Sequence, residues 1–178
     1  MISHAASVRS IVAIAVGLLG SVVASSAAET CHRYGTQYGD FRICVSSVLV
    51  SRDGRHGPQH LSGGSNEGAW CEGVPGHGSG ETITEHLKPA MAVGTVVIVN
   101  GYNKSPATFR ENGRVKRARL ETSGGQVREI TLRDSGDAQH IQFPPSRVNW
   151  IRLTILDVYP GAKYQDTCMS MFSAAVDG

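Results

Sequence analysis

The stretch VVIVNGYNKSPATFRENGRVKRARL, residues 96–120, decides how this chain reads. An apolar run breaks at Asn100-Gly101-Tyr102, and the segment after it carries Lys104, Arg110, Arg114, Lys116, Arg117 and Arg119. Residues 94–99 are almost continuous in Val and Ile, which predicts a strand buried on both faces. Asn100-Gly101 reads as a turn, because both residues tolerate positive φ. Beyond it Arg117 and Arg119 alternate with Ala118 and Leu120, the pattern of a strand with one apolar and one solvated basic face. Lysine and arginine on an outer strand also discourage edge-to-edge association.

Further along the chain the same texture repeats. Residues 44–50 form another apolar run, Ile130 and Leu132 alternate with Thr131 and Arg133, and Ile141 and Phe143 flank Gln142. Ile151, Leu153 and Ile155 alternate with Arg152 and Thr154. Short Val- and Ile-rich strands punctuated by 21 glycines predict an all-β sandwich. Residues 81–87 could form one helical turn, and residues 51–68, mixed in Arg, Gly, His and Ser, read as a long surface loop.

The first 28 residues read as a secretory signal: Arg9 is their one charged side chain, residues 11–23 are apolar, and Ser26 and Ala28 suit cleavage after Ala28. That apolar run is shorter than the ~20 residues a membrane helix needs, so no transmembrane segment is expected in the mature chain. The expected organisation is a signal peptide over 1–28, an N-terminal extension over 29–41 and a single domain over 42–178, in a secreted or periplasmic protein.

A formal net charge of +2 over the whole chain argues against a nucleic-acid partner, which calls for a strongly basic face. Four cysteines in an exported chain point to two disulfides, with three pairings open. The spacing favours Cys31–Cys44, closing a short loop, and Cys71–Cys168, tying an early strand to the last. Loop entropy assigns these roughly 3 and 4–5 kcal/mol respectively.

Catalytic and cofactor patterns do not assemble. GVPGHGSGET, residues 73–82, follows Trp70-Cys71-Glu72 and is closed by no lysine, so it does not match a phosphate cradle, which requires a buried strand before it and a helix N-terminus after it. His77, Glu81, Glu85 and His86 lack the compact spacing of a metal site, and no metal or other cofactor is expected. No G-x-S-x-G turn is present, and no carboxylate pair is brought together by sequence. The reading is therefore a binding protein and not an enzyme.

Six segments then carry a resemblance: SSVL (46–49), AWCEGVPGHGSGE (69–81), IVNGYNKS (98–105), ENGRVKRARL (111–120), LRDSGDAQHIQF (132–143) and IRLTILDVYPGAKYQDTCMSMF (151–172). In that order they resemble the NADase-type glycan-binding domain, a bacterial discoidin-like, galactose-binding-like jelly roll similar to the N-terminal translocation domain of streptococcal NAD glycohydrolase. The resemblance implies a carbohydrate- or surface-binding module, with NAD hydrolysis belonging to a separate domain that this chain does not reach. It also implies adjacent first and last strands, in keeping with Cys71–Cys168. Where relatives carry Asp-Gly before the Ala-Trp element this chain has Ser62-Gly63-Gly64-Ser65, which speaks against calcium there. Ser170-Met171 stands where relatives commonly carry Ser-Glu.

A sugar site needs an aromatic face against the C–H surface and a few charged or amide groups on the hydroxyls. Tyr102, Lys104, Arg114 and Lys116 are the candidate ligand-binding residues, with Trp150 and Tyr159 as further aromatic platforms. The expected partner is a glycan or other cell-surface component. The alternative is a protein-interaction module that docks through the basic 104–119 face.

Overall fold

A computed structural model describes residues 28–50, 56–63 and 67–176. The signal reading and part of the Ser62–Ser65 element fall outside them. Eight strands carry the fold: β1 (Thr30–Thr36), β2 (Gly39–Val45), β3 (Trp70–Cys71), β4 (Thr82–Asn100), β5 (Gly113–Thr122), β6 (Val127–Thr131), β7 (Gln139–Tyr159) and β8 (Thr167–Val176). A six-residue helix α1 (Pro106–Glu111) and a 3-10 turn (Pro58–Ser62) are the remaining regular elements among the described residues. None of these helices is long and apolar enough to cross a membrane.

The all-β expectation holds. The strands pair in the order β1-β2-β4-β7-β5-β8-β3, with β6 on β5 and a further β4–β8 pairing. The β4–β7, β7–β5, β5–β8 and β8–β4 contacts thus close a ring around one core. Period-two reading located that core well. Ile151, Leu153 and Ile155 are fully buried on β7, and Ala118 and Leu120 are buried on β5 while Arg117 and Arg119 face solvent. Trp70, Phe172, Ile43 and Ile83 fill the space between, each removing a large apolar side chain from water at about 1.5–3 kcal/mol.

Several local expectations are corrected. Residues 81–87 form no helical turn. Thr82 opens the 19-residue β4, in which Ile83, Glu85 and Leu87 turn inward, and pairing to β2 and β7 overrides local helix preference. On the same strand Val96 and Ile98 are buried but Val97 and Val99 are only half-buried, so burial there is one-sided. The 51–68 segment is not wholly on the surface, because Pro58 and Leu61 of its 3-10 turn are buried.

Both disulfides form as expected. Cys31 and Cys44 are direct cross-strand partners on β1 and β2, and Cys71 and Cys168 are partners on β3 and β8, with Cα atoms 4.1 Å apart in each. Residues read as an extension, including all of β1, thereby add an edge strand to the sheet.

A buried carboxylate ties three strands. Glu85 on β4 accepts the Tyr34 hydroxyl of β1 at Oε1, and its Oε2 accepts the Ala174 backbone N–H of β8 at 2.6 Å. Burial pushes the Glu85 carboxyl up to about 7 and raises the Tyr34 phenol as well.

Candidate functional site

At the β4 terminus the chain must reverse without abandoning buried polar groups. Asn100 solves this with its side chain, which accepts from the Val115 N–H (3.0 Å) and donates to the Val115 carbonyl (2.7 Å). Only Gly101 takes positive φ, at +77°, so Asn100 contributes hydrogen bonds and not the left-handed conformation expected of it. Ser170 on β8 donates to the Gly101 carbonyl at 2.7 Å and accepts from the Asn103 N–H. Ser105 then caps α1 in a reciprocal capping box with Thr108.

The loop after β7 docks on the far end of α1. The N–H groups of Ala162, Lys163 and Tyr164 donate to the carbonyls of Arg110 and Glu111 at 2.8–3.1 Å, satisfying helix-end acceptors. Gly161 is required at this join, since a Cβ there would meet the Glu111 carbonyl at 2.4 Å.

Between these loops lies a hollow of about 470 Å³. Its aromatic lining is His56, Tyr102 and Tyr164, and Lys104, Glu111 and Asp166 supply charge. The rings of His56 and Tyr102 meet edge to face at 5.9 Å. Tyr164 is 42% exposed, and the Lys163 ammonium lies 4.9 Å from its ring centre. A second hollow of about 340 Å³ shares Lys104 and Ser105 and extends past Phe109 and Arg110.

The four sequence-derived candidates separate into two groups. Tyr102 and Lys104 share the first hollow, Tyr102 with only 8% of its surface exposed and Lys104 exposed beside it. Arg114 is buried: it pairs with both oxygens of Asp134 (2.9 and 2.8 Å) and donates to the carbonyls of Asn112 and Pro160. Its guanidinium also lies 5.2 Å from the Phe109 ring centre. Lys116 forms an ion pair with Asp157 at 3.1 Å. Neither lines the hollow. The wider basic run is interleaved with carboxylates in space, Arg117 with Glu129 and Arg119 with Glu121.

Trp150 lies 5.5 Å from the Arg152 guanidinium, and the Tyr159 hydroxyl donates to the Leu132 carbonyl, so both alternative aromatics stand apart from the hollow. Sequence reasoning missed Tyr164, Asp166, Glu111 and His56. The first two sit inside the YQDT piece of the quoted motif, and His56 had no sequence signal.

Other motif residues brace the sandwich. The Trp70 indole N–H donates to the Ser47 carbonyl at 2.8 Å. Glu72 accepts the N–H groups of Thr167 and Val74, and Glu81 accepts the hydroxyls of Ser46 and Ser47. Burial raises the Glu72 carboxyl. Of the suggested metal ligands, His77 hydrogen-bonds the Gln165 carbonyl, Glu81 binds serines, Glu85 faces the core and His86 faces outward, so the four do not converge. Among the described residues Glu29, Cys31 and Cys44 do cluster, but both sulfurs are committed to a disulfide.

This architecture defines a discoidin-like jelly roll. Residues 34–173 match the family described as the NAD glycohydrolase translocation F5/8 type C domain, and the chain belongs to that family. No match is found among curated protein sequences. The fold is shared with part of the mycobacterial arabinofuranosyltransferase AftD (TM-score 0.62, 15% identity), where 84% of this chain covers 11% of that one. It is shared also with a family 32 carbohydrate-binding module, CpGH89CBM32-5 of Clostridium perfringens, solved with GalNAc-β-1,3-galactose. There the TM-score is 0.58 and the identity 15%, over 75% of this chain and 94% of that one. The family 32 module of C. perfringens NanJ, solved with galactose, gives 0.58 and 14% over 75% and 92%.

Proposed function

We propose that this protein is an exported, non-catalytic module that binds carbohydrate in the hollow beside Lys104. The observation that carries the reading is the make-up of that hollow. Tyr164 presents an exposed ring to stack on a sugar's C–H face, while Lys104, Glu111 and Asp166 are placed to fix hydroxyls. Tyr102 and His56 form its wall. The loops that frame it are locked by the Asn100 clamp, the α1 capping box and the docking of residues 162–164, so the site is largely preorganised. Modules of the same fold solved with galactose-containing ligands support a saccharide as the ligand class. Arg114 and Lys116 serve as braces in this reading.

The test is a glycan array with the purified, disulfide-bonded protein at low and high salt, repeated with Tyr164→Ala, Lys104→Ala and Arg114→Ala. Salt-insensitive binding to one sugar class, lost in the first two variants with unchanged melting temperature, is expected. Arg114→Ala should lower the melting temperature instead. Undiminished binding in both Tyr164→Ala and Lys104→Ala would overturn the assignment of the hollow.

A further inference from the structure

On the opposite side of β4 from the core, cations line up across three strands. Arg33 of β1 is the direct partner of Arg42 on β2, and Arg42 is the direct partner of His86 on β4. Lys88 follows two residues along on the same face as His86, and Arg152 of β7 pairs with Thr84, two residues before it. Like charges placed directly opposite in an antiparallel pair are destabilising. Among the described residues no carboxylate forms an ion pair with Arg33, Arg42, Lys88 or Arg152. The contrast with β5 is direct, where each exposed cation has its own carboxylate.

Geometry turns this row into a recess. Arg33, Arg42, His86 and Lys88 line a hollow of about 530 Å³, with Tyr34 and Phe41 also among its lining residues. One acid, Asp40, lies in it. Convergence of charge on the row shows at His86, whose imidazole is held below its ordinary pKa by burial and then by Arg42, against a smaller opposing pull from Glu29 and a further depression from Arg152.

We infer that this recess is a second binding site, separate from the hollow at Lys104, for an acidic polysaccharide bearing carboxylate or sulfate groups. An unbalanced Arg–Arg pair across β1 and β2 costs stability in the free protein, and a ligand anion bridging the two guanidiniums removes that cost. Arginine's planar fork suits a carboxylate or sulfate oxygen pair. Strands lie ~4.8 Å apart, so the row from Arg33 to His86 spans ~10 Å, a length that one or two sugar residues of a linear chain cover. A flat anionic bilayer cannot enter a concave recess, which favours a slender chain over a membrane.

The experiment is binding of the full disulfide-bonded protein to immobilised heparin and to polygalacturonate, with dextran and phosphatidylglycerol vesicles as comparators. Expected are saturable binding to one or both acidic polymers that weakens as salt rises, and at least a tenfold loss in Arg33→Gln/Arg42→Gln. Arg117→Gln/Arg119→Gln, on the charge-matched strand, should lose less than twofold, as should Tyr164→Ala, which separates this site from the neutral-sugar site. Relief of the facing-cation pair should also raise the melting temperature of Arg42→Gln by roughly 1–3 °C. Lys88→Gln, on an exposed side chain, gives a second reading with a loss of about threefold or more. Equal losses in the two arginine pairs, binding to the vesicles alone, or no binding to either polymer at low salt would each overturn the inference.

Discussion

Replacing Glu85 by Gln tests whether the buried carboxylate dictates how stability varies with pH. Both carboxylate oxygens are engaged, by the Tyr34 hydroxyl and the Ala174 N–H, and the residue is fully buried. Burial raises its pKa from the ordinary 4.5 to about 7. Between those values the folded protein holds a proton that the unfolded chain has lost, so the folded state binds more protons. Stability therefore falls as pH rises from about 4.5 to about 7, and levels off above that. A displacement of this size corresponds to about 3 kcal/mol. Glutamine copies the protonated form: its carbonyl accepts from Ala174 and its amide donates to the Tyr34 oxygen. The assay is urea unfolding of both proteins at intervals from pH 4.5 to 8, comparing midpoints at matched pH. Taking the difference matters, because the buried Glu72 contributes a slope of the same sign and His86, with its lowered pKa, one of opposite sign. Near pH 4.5 the two proteins should be about equally stable, and by pH 8 Glu85→Gln should be the more stable by about 3 kcal/mol. A difference that stays constant with pH would refute the reasoning.

Two further outcomes follow from the same contacts. Asn100→Ala leaves the N–H and carbonyl of Val115 buried without partners and should lower the denaturant midpoint by an amount equivalent to about 3 kcal/mol, whereas Asn100→Gln, too long for the clamp, should recover little of it. Removing Cys71–Cys168, whose residues are 97 apart, should cost more than removing Cys31–Cys44, 13 apart: loop entropy predicts about 4–5 against about 3 kcal/mol, readable from calorimetry of the paired Cys→Ser variants.

Much of the fold was legible because strand patterning is local. A period-two alternation such as Ile151, Leu153 and Ile155 reports burial from neighbours two positions apart, and β7 confirmed each one. Disulfides were legible because an even cysteine count points to two bridges before any coordinates exist. Helix preference over 81–87 misled, since pairing with β2 and β7, far away in sequence, decided that segment. The hollow was only half legible. Tyr102 and Lys104 are adjacent to the turn that drew attention, but Tyr164, Asp166 and His56 reach it from segments about 60 residues downstream and 45 upstream, a distance set by chain topology and not by any short motif.

Sequence alone determined the class of fold, the cysteine pairs favoured, and the family, because hydrophobic period, covalent chemistry and ordered motifs are carried by the order of residues. Tertiary structure decided what each charge does. Arg114 and Arg42 are the same residue type, each in a strand and each followed by a β-branched apolar residue, Val115 and Ile43. Arg114 folds against Asp134 and becomes a brace, while Arg42 is set opposite Arg33 and, among the described residues, forms no ion pair with a carboxylate. The energy of a charge depends on what stands within a few ångströms of it in space. That neighbourhood comes into being only when β1, β2 and β4 pair.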